Sequence, residues 1–353
     1  MEDKQKIFEE SQSLYFSTKF NKALELIDDL LEANDSNSDY HNHKGNCLRQ
    51  LDKNKEALES FEKAISLNEN NELCYLNKAQ VLCLLDQNDE AHKSLEKYLN
   101  FNAENPFAYF LKGKAYFNQN KFLFAYENFK KVLNFDFKYT LIHYWLGVTL
   151  KELKYYEEAL TEFDLHIEQT PDDFFIYLYK AHCFMKQNKF TEALIESDKA
   201  IGKRNSGETY NTKAFCLFNL NRFEEALIEI EKAFASIFDD DFNMASAYKN
   251  RALIIFKLGR PREALNDINK ALENGNKSNS VFCEAKALIL NGLENYEDAI
   301  YDIIKAFENS EEKPKLENLN LMKSLINKIK GISFTSSSQT PNEIIKDLED
   351  CIN

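Results

Sequence analysis

The sequence is short of the residues that break a chain into turns and strands. Nine glycines and five prolines are spread over 353 residues, too few for a protein built from many hairpins and tight loops. No stretch approaches ~18 uninterrupted apolar residues, so nothing reads as a membrane span. The first residues, MEDKQKIFEE, are acidic and lack an apolar leader core, so no secretory signal is expected. Seven cysteines (Cys47, Cys74, Cys83, Cys183, Cys216, Cys283 and Cys351) are odd in number and show no C-x-x-C pairing. That usage suits reduced thiols in a soluble, cytoplasmic protein. Runs of Lys and Arg are also missing, and the net charge is −14, which argues against nucleic acid or an anionic membrane surface as the main partner. Phosphate-binding, dinucleotide, zinc-protease and nucleophile-elbow motifs are all missing. No catalytic residue, metal or cofactor is expected, and an enzyme is not the expected class.

What is present argues for order. Hydrophobic residues make up 44% of the chain, aromatics 13% and charged residues 29%, a composition that can bury a core and is not that of a disordered chain. The length exceeds what one compact core organises, so several domains or an elongated array are expected. An internal repeat decides for the array. An alanine within EAL-like triplets falls at Ala23, Ala57, Ala91, Ala125, Ala159 and Ala193, at a constant step of 34, and continues at Ala226, Ala264 and Ala299 with steps of 33, 38 and 35.

Twelve residues before that alanine stands a small residue: Ser11, Gly45, Ala79, Gly113, Gly147, Ala181, Ala214, Ala252 and Ala287. Large residues four before it and three after it share its face of a first helix. Four residues after the triplet alanine stands a bulky residue, as at Phe61, Leu95, Phe129, Phe163, Ile230, Ile268 and Ile303, which defines a second helix. Small residues belong where two backbones approach closely, and large ones fill the gaps.

The stretches YFLKGKAYF (109–117) and EEALTEFDLHIEQTP (157–171) resemble the tetratricopeptide repeat in period, in small and large positions, and in the closing Pro171. His166 and Tyr98 depart from that pattern, standing where a second alanine is usual. The resemblance covers residues 4–313 as nine copies: 4–37, 38–71, 72–105, 106–139, 140–173, 174–206, 207–244, 245–279 and 280–313. It implies an all-α, right-handed solenoid whose first helices line a concave groove, acting as a non-enzymatic scaffold or adaptor that binds polypeptide segments. A capping helix is expected over 314–330, a linker over 331–340 and an amphipathic C-terminal helix over 341–353. That last helix is read as either a second docking element or a cover for the groove. The stretch SIFDDDFNMAS (236–246), which lengthens one step to 38, is expected to project as a loop.

Read as chemistry, the carboxylates of EEALTEFDLHIEQTP suggest an acid–base or metal site. The acid before the triplet alanine recurs as Glu56, Glu90, Glu158, Glu192, Glu225, Glu263 and Asp298, however, and an acid in a first helical turn is favoured by the macrodipole. His166 is expected as a buried structural histidine with Glu162 one turn away as its partner, and Cys47, Cys183 and Cys216 as packing residues at one equivalent position. The groove itself is the candidate site. Its centre is expected to present Leu76, Phe107, Phe110, Leu111, Tyr144, Trp145, Phe175, Tyr179 and His182, beside Leu73, Leu141 and Leu178. Polar flanks follow at Asn42, His43, Asn46 and Arg49, and at Asn211, Lys249 and Asn250. Such a surface suits an apolar or amphipathic partner segment, flanked by basic residues.

Two alternatives stand beside this reading. The co-chaperone branch of the family clamps a C-terminal carboxylate with Lys, Asn and Arg, but Asn42, Phe107 and Leu111 occupy the positions where cations are needed. The asparagine ladder of glycosyltransferase-associated arrays is matched only at Asn77 and Asn250. The Gly-poor, Asn-, Lys- and Phe-rich usage suits an AT-rich genome, and by analogy a subunit of a ciliary or trafficking complex is the other alternative.

Overall fold

The computed structural model describes residues 2–33, 35–135, 141–238, 241–275, 280–308 and 324–325. It is all-α among these residues, and the chain divides into two compact units, Met1–Gln169 and Thr170–Asn353. Unit 1 holds ten helices: α1 (Glu2–Phe16), α2 (Phe20–Ala33), α3 (Ser38–Gln50), α4 (Asn54–Leu67), α5 (Glu72–Leu84), α6 (Asn88–Phe101), α7 (Pro106–Asn118), α8 (Phe122–Leu133), α9 (Ile142–Glu152) and α10 (Tyr156–Gln169). Unit 2, over its residues up to 308, shows eight among those described: α11 (Phe174–Lys186), α12 (Phe190–Lys203), α13 (Gly207–Asn219), α14 (Phe223–Phe234), α15 (Asp241–Lys257), α16 (Pro261–Asn274), α17 (Ser280–Gly292) and α18 (Tyr296–Glu308). Within each unit every odd helix packs on the even helix that follows, and odd helices also touch one another along an inner row, as in an α-solenoid. No helix among the described residues is long and apolar enough to cross a membrane.

The turns explain how so few glycines suffice. Each odd helix ends in one residue of left-handed backbone: Thr18, Asp52, Asp86, Asn120, Lys154, Asn188, Asn221 and Glu294 at φ 57–66°, and Gly259 at φ 78°. The next residue donates its N–H back five positions, as Lys53 does to the Leu48 carbonyl (3.0 Å), while Asp52 donates to the Arg49 carbonyl (3.1 Å). This pair of bonds is the Schellman motif, which satisfies the last carbonyls of a helix. Asn and Asp enter that conformation at low cost among L-residues, so the turn needs no glycine. Helix starts are capped locally: Asn37 accepts from Asp39 N–H (2.9 Å), Asn105 from Ala108 (3.1 Å), and Asp173 from Phe175 (3.1 Å). Ser206 and Thr209 form a reciprocal capping box at the start of α13.

The core is built from the small–large pairs. The nine triplet alanines, from Ala23 to Ala299, are fully buried. In eight of the nine copies a bulky residue stands sixteen positions after the small residue of the odd helix, and in the glycine copies their sizes compensate; copy six has Ser197 there. A methyl group added at Gly45, Gly113 or Gly147 would sit 2.6, 2.5 or 2.5 Å from the ring of Phe61, Phe129 or Phe163. Where the small residue is alanine, the partner is Leu95, Ser197, Ile230, Ile268 or Ile303. Glycine thus occurs where the facing side chain is a phenyl ring, because close packing leaves no room for both.

One expectation is revised. Residues 241–246 do not project as a loop: they form the first turns of α15, at 17 residues the longest helix described. The reason is packing. Ala245 sits in the cluster of Ile268 and Phe282, and Ala247 in that of Ala214 and Ile230. Phe238 also closes over Gly207, whose N–H donates to the Ile237 carbonyl (2.9 Å). The predicted capping helix (314–330, apart from 324–325), the linker (331–340) and the C-terminal helix (341–353) lie outside the described residues. Residues 324–325 are helical, and Leu325 is buried.

Candidate functional site

The aromatic residues predicted for the groove are largely spent on one another. In unit 1, Leu76, Phe110 (4% exposed) and Leu111 are buried, so they belong to the core and not to an accessible surface. Trp145 on α9 is half-buried, with its ring 5.4 Å from Phe117, 5.9 Å from Phe129, 6.3 Å from Phe110 and 5.4 Å from Tyr144. The Lys114 ammonium caps it at 5.2 Å. Phe107 stacks on Phe110 at 6.2 Å. Rings this size find more contact area in each other than in water. Leu73 and Leu141 remain exposed in unit 1. In unit 2, Phe175 is exposed, Tyr179 and His182 are half-buried, and Leu178 is buried.

Unit 2 carries a more open feature. A cleft of about 960 Å³ lies along the inner row, walled by α11, α13 and α15, with Phe190 at the start of α12. Of the predicted central residues only His182 lines it; Asn211, Lys249 and Asn250, read from the sequence as a polar flank, do so as well. Asn250 Nδ2 donates to Asn211 Oδ1 at 2.8 Å, and the two residues are 6% and 9% exposed. Asn250 Oδ1 has no hydrogen-bond partner among the described residues. Which amide atom is oxygen is inferred from that bond, but in either orientation one buried polar atom of Asn250 is left over. An unmet buried acceptor costs roughly 1–3 kcal/mol.

The cleft walls are otherwise ordered by their own bonds. Thr212 donates to the Glu208 carbonyl (2.9 Å) and Asn219 to the Phe215 carbonyl (2.8 Å). The Lys249 ammonium lies 5.6 Å from the centre of the Phe215 ring. Sequence reasoning missed Phe190 and Phe215 as lining residues. The signal that could have found the site is an asparagine three before the small residue in one copy, followed by an asparagine two before it in the next. The same register pairs Asn77 with Asn42 (3.0 Å) in unit 1.

The carboxylate cluster of residues 157–171 disperses. All seven acids that precede the triplet alanines are exposed, and Glu225 and Glu263 are held below the usual carboxylate range by hydrogen bonds from Arg222 and Arg260. His166 is 1% exposed against the Tyr144 ring (5.8 Å). Glu162 is not its partner: that carboxylate pairs with His143 Nδ1 at 2.7 Å, across the helix pair. His41 contacts the Asp35 carbonyl (2.9 Å) and His43 the Ser11 hydroxyl (3.0 Å), so the two point to different neighbours. Cys47, Cys183 and Cys216 are fully buried; desolvation pushes the Cys47 and Cys216 thiols up to about 12, far from the thiolate a nucleophile or metal ligand requires.

Comparison with known proteins agrees with this architecture. Residues 38–71 match the tetratricopeptide repeat family. The APC/C hetero-tetramer Cut9–Hcn1 is similar in structure at 15% identity and a TM-score of 0.58, over 86% of this chain and 58% of that one. The C-terminal part of a repeat-containing protein from Cytophaga hutchinsonii is similar at 19% identity and a TM-score of 0.50, over 74% and 98%. A tetratricopeptide repeat protein from Parabacteroides merdae gives 20% identity and a TM-score of 0.46, over 82% and 100%. At these identities the likeness to the first two is one of fold. No curated protein matches the sequence.

Proposed function

We propose that this chain, a tetratricopeptide-repeat protein, is a non-enzymatic scaffold that holds an extended polypeptide segment in the cleft of unit 2. The observation that carries the reading is the Asn211–Asn250 pair, with its buried, unpaired acceptor in an open cleft. An extended segment presents main-chain N–H and C=O groups that no secondary structure has used, and a side-chain amide offers the matching acceptor and donor. The Phe190 and Phe215 rings supply apolar contact, and Lys186 and Lys249 supply charge. The edges of Phe175 and Tyr179, in the same unit, are secondary contacts. The buried thiols suit a reducing, cytoplasmic setting.

The test is a tiled peptide array probed with the full chain and two variants. Segments retained by the wild type should weaken roughly 5- to 100-fold with Asn250→Leu, in keeping with ~1–3 kcal/mol for an unmet hydrogen bond. Tyr144→Ala with Trp145→Ala should weaken them less. Retention by Asn250→Leu together with loss in the double variant would place the site in unit 1 and refute the reading.

A further inference from the structure

Beyond the array, residues 341–353 read PNEIIKDLEDCIN. Ile344, Ile345, Leu348 and Ile352 fall at spacings that share one helical face. Glu343, Asp347 and Asp350, at steps of four and three, form an acidic stripe beside it. The segment holds four acids against one base, a net charge of −3.

The cleft of unit 2 has the complementary pattern. Lys186 and Lys249 line it against a single acid, Glu208, and Met185, Phe190 and Phe215 supply its apolar surface. In a chain with 58 acids and 44 bases, cations are usually paired. Lys180, Lys199, Lys203 and Lys213 in the same unit all are. Lys186 enters no ion pair among the described residues, so its charge is available to an acid that is not part of the array.

We propose that segment 341–353 docks into this cleft, with its acids on Lys186 and Lys249 and its apolar stripe on Met185, Phe190 and Phe215. The chain then occupies its own binding site until a partner segment displaces it. The inference rests on the reading of the cleft as a polypeptide site. The tether suffices: beyond the buried Leu325, residues 326–340 supply 15 residues, ~50 Å when extended, while the helix layers from α18 back to α15 are ~10 Å apart.

The full chain provides the test. Zero-length carbodiimide cross-linking should join Lys186 or Lys249 to Asp347, Glu349 or Asp350 within one molecule. The double variant Asp347→Lys, Asp350→Lys should remove those links without loss of helical signal. A labelled synthetic peptide of residues 341–353 should bind that variant about tenfold more tightly than it binds the wild type, because only the wild type carries a competing tethered copy at about millimolar effective concentration. Links found only between molecules, or equal peptide affinity for the two chains, would overturn the inference. The failures are separable. If foreign segments still bind in an Asn250-dependent way, the inference alone falls; if no segment of any origin binds the cleft, the reading beneath it falls too.

Discussion

In unit 1 the lysine just before the small residue of an odd helix reaches back sixteen positions to the preceding copy. Lys44 pairs with Asp28 (2.7 Å), Lys78 with Glu62 (2.8 Å) and Lys112 with Glu96 (3.6 Å). In unit 2 the equivalent cations also reach forward sixteen positions within their own copy, beside backward pairs from Lys213 to Asp198 (2.9 Å) and from Arg251 to Glu231 (3.2 Å). Lys180 pairs with Glu196 (3.6 Å), Lys213 with Glu229 (3.4 Å), Arg251 with Asp267 (2.7 Å) and Lys286 with Asp302 (3.2 Å). The position sixteen ahead decides the forward pair: it is Ser60, Ser94 and Asn128 in unit 1, and a buried acid in every copy of unit 2. Copy five lies between the two patterns. Leu146 replaces the lysine there, and Glu162 is served by His143 instead.

The difference sorts stability into two kinds. The stability of a repeat array is a sum of terms within copies and terms between neighbours. Unit 1 places its ion pairs between copies, on acids whose side chains are 54% and 63% exposed at Glu62 and Glu96, where such pairs contribute at most about 1 kcal/mol. Unit 2 adds pairs within copies on buried acids, where losing one partner strands a charge.

The comparison breaks most sharply at the small–large joints, where unit 1 uses Gly–Phe and unit 2 uses Ala–Ile in three copies. Gly147→Ala should cost about 3 kcal/mol by overpacking against Phe163, and Phe163→Ile should restore much of it. Ala214→Gly should cost only about 1 kcal/mol. Chemical denaturation of the single and double variants measures the coupling, and strict additivity would count against size compensation.

The next effect is on the ion pairs. Lys286→Met should cost about 2–3 kcal/mol by leaving Asp302 buried without its partner, whereas Lys78→Met should cost less than about 1 kcal/mol. Equal costs in the two units would remove the distinction.

Acidification probes unit 1 through a different group. Burial lowers the pKa of His43, with Ser11 opposing it only in part. Folding therefore favours the neutral ring. Its contribution is present above the unfolded value of about 6.5 and is lost as pH falls through that value towards the lower folded one. Denaturation at pH 7 and pH 5.5 should show wild-type stability falling more than that of His43→Gln. Asp302 in unit 2 behaves oppositely. Burial raises its pKa despite Lys286, so its ionisation opposes folding and lower pH relieves that opposition.

The smallest effect lies in the turns and should be alike in both units. Lys154→Gly and Glu294→Gly should each stabilise by up to about 1 kcal/mol, since an L-residue pays ~1–2 kcal/mol in left-handed backbone and glycine returns part of that in chain entropy. Asn188→Gly should gain less, because asparagine tolerates that conformation.

Much of the fold was legible because helix pairing repeats with a period. Ala159, Phe163 and Gly147 announce themselves by recurring. The turns were half-legible: Asp52, Asp86, Asn120, Asn188 and Asn221 keep step, but Thr18, Lys154 and Glu294 hide the pattern, and scarce glycine suggested fewer special turns than exist. The groove was read less well. Helical spacing says which way Phe110 and Trp145 point, but not that neighbouring rings cover them. It likewise could not distinguish Asn211 and Asn250 as a buried bridge from a solvated flank, since burial depends on the copies alongside.

The Gly–Phe and Ala–Ile joints also bear on how such a chain changes by recombination. Both partners of a joint lie sixteen residues apart inside one hairpin. Exchanging genetic segments at the boundaries between copies therefore moves each joint intact. A crossover inside a hairpin would set glycine against isoleucine, leaving a void, or alanine against phenylalanine, forcing a clash. Whole copies can be gained or traded, while the joint within each copy changes only if both of its sides change together.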